Sequence, residues 1–115
     1  MAFIWQVNYY ESPVGSKPVE EFINTLEEKT QNKIIRTLEL LEEFGVNLGP
    51  PHTKKLTGTP LWELRIIGAD NIRIFYVAKQ RQSFLLLHGF KKKTQKTEKK
   101  EIKIALKRLS AYESN

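Results

Sequence analysis

The spacing of hydrophobic residues along the chain predicts a strand, two helices, three strands and a final helix. The segment Phe3–Tyr10 is rich in aromatic and branched residues and is typical of a strand. Apolar residues then recur at the i, i+3, i+4, i+7 spacing of helices that bury one face. The three helical stripes are Val19, Phe22, Ile23 and Leu26; Ile34, Ile35, Leu38, Leu41 and Phe44; and Ile102, Ala105, Leu106, Leu109 and Tyr112.

A few polar residues, prolines and glycines predict where these helices begin and end. Ser16 suits the N-cap of the first helix, with Pro18 near its first position. The second helix is predicted from after Thr30 to Phe44, where Gly45 suits a left-handed C-terminal cap. Thr97 is a candidate cap for the last helix. The link between the first two helices is short, so we expect an antiparallel helical hairpin.

Three strand-like runs follow a loop at Val46–Thr53, and the links between them are short. Short links predict two consecutive hairpins and hence an antiparallel meander. Helices grouped ahead of a meander predict a single α+β domain over residues 1–115, with the helical hairpin packed on one sheet face and a helix at the C-terminus. The runs are Leu61–Ile67, Asn71–Ala78 and Ser83–Phe90, and alternation predicts that the other sheet face presents Glu63, Arg65, Arg73 and Phe75.

Composition excludes several kinds of site. The chain of 115 residues has no cysteine, which excludes disulfides, thiolate zinc sites and cysteine nucleophiles. Its two histidines, His52 and His88, lie far apart, so we expect neither a metal site nor a cofactor. No apolar run reaches the ~18 residues of a membrane span. The first residues do not resemble a signal peptide, so we expect a cytoplasmic protein with no membrane partner.

Positive charge is concentrated near the C-terminus. The chain has a net charge of +6, from nineteen Lys and Arg against thirteen Asp and Glu. Between Lys91 and Arg108, nine basic residues oppose two acidic ones, whereas the rest of the chain has ten basic and eleven acidic residues. Such a block favours a polyanion partner, because Lys and Arg contacts to phosphates release counterions. A solubilising surface helix is the alternative interpretation.

Arg65 and Arg73 are the most informative candidates for chemistry. Each lies in mid-strand among apolar neighbours, where a charge is costly unless it meets water or a partner. Two guanidinium groups on one sheet face suit phosphate, which arginine contacts in a bidentate manner. The alternative is cross-strand pairing of these arginines with Glu63 or Asp70.

The remaining candidates each have two interpretations. The unperturbed pKa of a histidine, ~6.5, suits His88 to proton transfer, but His88 also suits a buried, hydrogen-bonded position in the core. Phe75 shares a face with Arg73 and is a candidate for stacking on an RNA base. The lysines either hold nucleic-acid backbone or are ordinary solvated charges; they are Lys55, Lys91, Lys92 and Lys93.

The second half of the chain resembles a known family. The block LLHGFKKKTQKT at residues 86–97, with Leu61–Arg65 and Ile72–Tyr76 before it, is similar to the phage-derived HigB-like branch of the RelE/ParE toxin superfamily. The similarity extends over essentially the whole chain. It implies a RelE-like fold and the toxin of a type II toxin–antitoxin system, acting as a ribosome-dependent mRNA endoribonuclease without a metal. The implied partners are a helix-turn-helix antitoxin, the ribosome, mRNA and, through the antitoxin, operator DNA.

The resemblance also implies roles for individual residues. Arg73 matches the arginine that stabilises the phosphate in the family, and Arg65 and Glu63 occupy positions that are lysines in RelE. We therefore expect catalytic roles for these three residues and His88. RNA binding is expected of Lys55, Phe75, Lys91, Lys92 and Lys93. Two other functions stay open: a ParE-like, non-enzymatic inhibitor of DNA gyrase, and an RNA- or ribosome-binding module that does not cleave.

Overall fold

In the part of the chain that the structure describes, a five-stranded mixed sheet carries helices on both faces. The structure is a computed structural model and describes residues 4–69, 71–95 and 99–114. The sheet order is β1-β5-β4-β3-β2, with β1 parallel to β5 and the other neighbours antiparallel. The strands are β1 (Gln6–Tyr9), β2 (Thr53–Lys55), β3 (Trp62–Arg65), β4 (Ile72–Lys79) and β5 (Ser83–Lys91), and the helices are α1 (Pro18–Asn24), α2 (Glu28–Phe44) and α3 (Lys99–Glu113).

The α+β class, the helical hairpin and the meander of β3, β4 and β5 are as the sequence predicts. Two features of the sheet are not. β2 forms at Thr53–Lys55, in and just after the predicted loop, and pairs with β3. β1 joins the other side of the sheet, beside β5, which makes the sheet mixed rather than purely antiparallel.

The helix ends follow the predicted residues in part. Pro18 begins α1, but Ser16 does not cap it: its hydroxyl lies 2.8 Å from that of Ser12, and Lys17 occupies the N-cap position. Gly45 ends α2 with a positive φ of 58°, and a Cβ at this position would overlap the Trp5 indole. The prediction that Thr97 caps α3 lies outside the described residues.

Two hydrophobic cores lie on the two faces of the sheet, so the face expected to be open is largely covered by α3. The burial of these side chains supplies the main driving force for folding. The core under the helical hairpin includes Val19, Ile34, Leu41, Leu64, Ile74, Tyr76, Phe84 and Leu86. The core under α3 includes Leu61, Phe75, Val77, Leu85, Leu87, Phe90, Ala105 and Leu109.

A β-bulge in β5 changes which residues face α3. Phe75 pairs with His88, but the next residue of β4, Tyr76, pairs with Leu86, so Leu87 is an extra residue in β5. Leu87 belongs to the α3-side core, and the His88 side chain bonds to α3. Two consecutive residues therefore face the same helix, which a regular strand does not allow.

Candidate active site

Three charged side chains meet on the α3 side of β3 and β4. Arg65 and Arg73 are directly opposite each other in the pairing of the two strands. Glu63, two residues before Arg65, places its Oε1 atom 3.2 Å from Nε of Arg65 and 3.5 Å from Nε of Arg73. Two guanidinium groups thus share one carboxylate oxygen.

Glu63 is the buried centre of this cluster. It is 1% exposed, whereas the side chains of Arg65 and Arg73 are 36% and 14% exposed. A buried carboxylate is tolerated only when it is paired, so the two cations stabilise its charge in this position. Its second oxygen, Oε2, is buried and accepts no hydrogen bond from the residues that the structure describes. The pairing alternative of the sequence is therefore confirmed for Glu63, while Asp70 lies outside the described residues.

Arg73 also lines an open cleft at the corner of the sheet. The cleft has a volume of about 440 Å³. Nη1 of Arg73 donates to the carbonyl of Ile72 at 3.0 Å, which fixes the guanidinium at the side of the cleft. The backbone N–H of Lys92 donates to the carbonyl of Asn71 at 2.6 Å and holds the basic run against β4. The cleft is lined by Asn71, Arg73, Lys92, Lys93, Thr94 and Gln95.

The three lysines after β5 do not lie together. Lys91 pairs with Ile72, whose side chain is buried under the helical hairpin, and Lys91 lines a different cleft with Glu27 and Thr30. Lys92 and Lys93 line the cleft of Arg73. The structure therefore brings two of the three predicted lysines to the arginine cluster and places Lys91 on the opposite side of the sheet.

Lys55 is also on the side away from the cluster. It pairs with Trp62 across β2 and β3, and its Nζ atom lies 5.6 Å from the centre of the Trp62 ring. Its neighbour Lys54 pairs with Glu63 and is exposed, so Lys54 shares a face with the two arginines. Lys54 is thus better placed than Lys55 to contact a ligand of the cluster.

His88 is held from both sides by α3. Its Nε2 atom lies 2.7 Å from Oε1 of Glu101, and Nη1 of Arg108 lies 3.2 Å from its Nδ1 atom. Arg108 also donates to the carbonyl of Leu87 at 2.9 Å. Because a guanidinium only donates, Nδ1 accepts and Nε2 carries the proton that Glu101 accepts. The network thus selects one neutral tautomer of the imidazole.

Burial favours the neutral form of this histidine. His88 is 8% exposed, and burial lowers its pKa, while the hydrogen bond to Glu101 acts in the opposite direction. The neighbouring Arg108 charge lowers the pKa of His88 further. Both ring nitrogens are engaged in the network, so the geometry favours the buried-core interpretation of His88 over proton transfer in this conformation.

Phe75 lies in the core rather than on the surface, so the expectation that it stacks on a base is not met. It has no exposed surface and packs edge-to-face on Phe90 with ring centres 4.9 Å apart. Phe90 in turn stacks on His88 at 5.3 Å. The physical reason is that α3 covers the sheet face on which Phe75 lies, a face that we expected to be open.

Sequence reasoning missed Glu101 and Arg108 as partners of His88. They are seven residues apart on α3, with the buried Ala105 between them. This i, i+4, i+7 spacing was the available signal, because it places both charges on the apolar stripe of the helix.

The described residues contain neither a metal-binding cluster nor a membrane-spanning helix. No group of three or more His, Asp or Glu side chains in these ranges is arranged to hold a metal ion. No helix within them has both the length and the apolar character to cross a membrane.

Comparison with protein families shows to which family the chain is similar. The family model described as "Phage derived protein Gp49-like (DUF891)" matches residues 21–110, which include the arginine cluster, the cleft and the His88 network. No curated protein matches the chain.

Proposed function

Because the chain belongs to the phage-derived Gp49-like family, part of the RelE/ParE-like toxin superfamily, we propose that it is the toxin of a toxin–antitoxin pair. We propose further that it inhibits translation by cleaving mRNA on the ribosome, without a metal. The cognate partner is then an antitoxin of the helix-turn-helix class, which also connects the toxin to operator DNA.

The single observation that carries the proposal is the pair of arginines around Glu63 beside a cationic cleft. Cleavage of RNA by its own 2′-OH passes through a phosphorane with extra negative charge. Preorganised cations stabilise that charge more in the transition state than in the substrate. Arg65 and Arg73 offer two guanidinium groups within reach of one carboxylate oxygen, and Arg73 also borders the cleft.

The proposed reaction conserves all atoms of the RNA. The 2′-oxygen forms a bond to phosphorus and loses its proton, and the bond from phosphorus to the 5′-oxygen breaks. The 5′-oxygen gains a proton, so the products are a 2′,3′-cyclic phosphate and a free 5′-OH. Arg73 and Arg65 stabilise the phosphorane, and Lys92 and Lys93 hold the adjacent backbone in the cleft.

Glu63 acts as a positioning residue in this proposal. Its 1% exposure is too low for direct contact with a ribose in this conformation, whereas its Oε1 atom contacts both arginines. It approaches each guanidinium at Nε and so orients the two arginines beside each other. For His88 to transfer a proton, as the sequence led us to expect, it would have to release one of its two bonds to α3.

The test is induction of the protein in cells, followed by primer extension on abundant mRNAs and an assay for DNA breaks. New 5′ ends within coding sequences, lost with Arg73→Ala, support the proposal. DNA breaks without new mRNA ends would point to gyrase inhibition. Growth arrest and ribosome binding with intact mRNA and DNA would point to a non-cleaving RNA- or ribosome-binding module.

A further inference from the structure

A groove with an acidic rim lies between β1 and α2, on the hairpin side of the sheet. Its volume is about 290 Å³. Its floor is apolar, and Ile35 at its side is 50% exposed. This groove is remote from the arginine cluster, which lies on the other face of the sheet and on other strands. It is lined by Val7, Tyr9, Ile35, Leu38, Glu39 and Glu42.

The groove runs along an open edge of the sheet. In the described residues β1 has one strand neighbour, β5. Just before β1 the N–H of Trp5 donates to the carbonyl of Glu42 at 3.1 Å, so the edge without a neighbouring strand is the part at Val7 and Tyr9. The N–H groups of Gln6 and Tyr10 donate to Gln82 and Leu86 of the β5 side, at 2.9 Å each. Successive residues of a strand direct their backbone groups to opposite edges, so the N–H and C=O groups of Val7 and Tyr9 point outward.

The carboxylates at the rim lack cationic partners. Glu39 and Glu42 are three residues apart on α2, and neither forms an ion pair within the described residues. The pKa of Glu42 is raised mainly by partial burial and to a smaller extent by the nearby charge of Glu39. Burial, with the charges of Glu20 and Glu42, raises the pKa of the Tyr9 hydroxyl. Uncompensated negative charge therefore surrounds an apolar floor.

The charge of the hairpin contrasts with that of the whole molecule. Residues 18–44 contain seven acidic and three basic residues, in a protein of net charge +6. A second copy paired through β1 in a symmetric way would bring two sets of Glu39 and Glu42 together, which like-charge repulsion opposes. Complementary charge is instead supplied by a basic ligand.

We propose that this groove and the open edge of β1 bind an extended, basic segment of a partner protein, which adds as a strand beside β1. The backbone of the segment pairs with Val7 and Tyr9, as in other cases of strand addition. One of its apolar side chains enters the groove beside Ile35, and its Lys or Arg side chains contact Glu39 and Glu42. Because the groove lies away from the cationic cleft, this interaction does not depend on RNA cleavage.

A synthetic nine-residue peptide in which lysine, valine and lysine alternate with threonine, so that these three side chains lie on one face of the strand, is labelled with a fluorophore. It tests the proposal with the full-length protein. Anisotropy titrations should show saturable binding that weakens with salt. Glu39→Lys/Glu42→Lys should weaken binding roughly tenfold, because two ion pairs with the peptide become repulsions. Glu27→Lys/Glu28→Lys, at the other end of α2, changes the net charge equally and should have a much smaller effect. Circular dichroism confirms that both variants are folded.

A second peptide separates strand addition from charge attraction. In this peptide, N-methylation of alternate residues removes the N–H groups that would pair with β1 and leaves all side chains unchanged. The methylation should abolish binding. The proposal is overturned if the methylated peptide binds normally or if the two double variants weaken binding equally. Equal binding of a peptide with glutamate in place of lysine would also overturn it. RNA cleavage measured in the same variants should be unchanged, so failure here is distinct from failure of the proposed function.

Discussion

Arg65 and Arg73 are directly opposite each other across β3 and β4, and both are oriented toward the same oxygen of Glu63. Two like charges facing each other across an antiparallel pair are destabilising when nothing compensates them. The buried carboxylate supplies that compensation. It therefore allows the two guanidinium groups to lie side by side on one face of the sheet.

The first prediction concerns Arg73. Arg73→Ala should lower the rate of mRNA cleavage ~10²–10³-fold, because one preorganised donor to the phosphorane is lost. Arg73→Lys should restore only part of the activity, since an ammonium lacks the bidentate fork. Single-turnover cleavage on purified ribosomes measures the effect. Arg36→Ala, on the exposed surface of α2, is the control and should cleave normally. Undiminished cleavage by folded Arg73→Ala protein would refute the assignment.

The second prediction tests the positioning role of Glu63. Glu63→Gln keeps the shape of the side chain but removes the charge that orients both arginines. It should lower the free energy of unfolding by about 1–3 kcal/mol and slow cleavage without weakening RNA binding. Urea denaturation and single-turnover kinetics measure the two effects. Glu113→Gln breaks an exposed pair with Lys79 and should cost at most ~1 kcal/mol. Weaker RNA binding by Glu63→Gln with normal cleavage at saturation would contradict this role.

The third prediction is a pH dependence of stability that depends on His88. Burial lowers the pKa of His88 below the ordinary value of 6.5, so the unfolded chain binds the proton more tightly than the folded protein. The stability that depends on neutral His88 is therefore fully present above about pH 6.5. It is lost as the pH falls toward and through the lowered pKa. Urea denaturation from about pH 8 to about pH 5 should show this loss.

Histidine variants provide the comparison for that experiment. His88→Gln should reduce the fall in stability with decreasing pH, whereas His52→Gln should retain it. If His88→Gln protein folds and keeps the same pH dependence, the network with Glu101 and Arg108 does not control the protonation of this residue. Normal cleavage by the folded His88→Gln protein would show that His88 docks α3 and does not transfer a proton.

The fourth prediction uses two adjacent lysines on opposite sides of the sheet. Lys92→Ala should weaken RNA binding and reduce the log–log slope of binding against salt by about 0.7, as expected for one lost phosphate contact to single-stranded RNA. Lys91→Ala removes the same charge from the other cleft and should leave that slope nearly unchanged. Equal effects of the two substitutions would indicate that net charge, rather than the cleft, governs RNA binding.

The local pattern of the sequence predicts the meander and its charged positions well. The period of two in β3 and β4 is sufficient to place Glu63, Arg65 and Arg73 on one face, and their contacts confirm this placement. The parallel pairing of β1 with β5 is not predictable in this way, because it joins residues about 77 positions apart and leaves no short-range signal. Tertiary packing decides it.

The surroundings of the site were harder to predict for a related reason. Phe75 has the expected direction, but α3 covers it, and the coverage of a face depends on the path of a distant helix. The bulge at Leu87 determines the side of the sheet on which His88 and Lys92 lie, and no turn residue in the sequence predicts this bulge. The only sequence signal for the positions of Glu101 and Arg108 is that both charges lie on the apolar stripe of α3.

Because of the extra residue in β5, the number of residues in this strand does not by itself determine which face the later residues are on. A regular strand with the same sequence would turn His88 and Lys92 toward the hairpin and place Lys91 in the cleft. A strand that lacked Leu87 altogether would be one residue shorter, yet His88, Phe90 and Lys92 would keep their present side. Proteins with this fold can therefore differ by one residue at this point and still direct the same lysine toward the arginines.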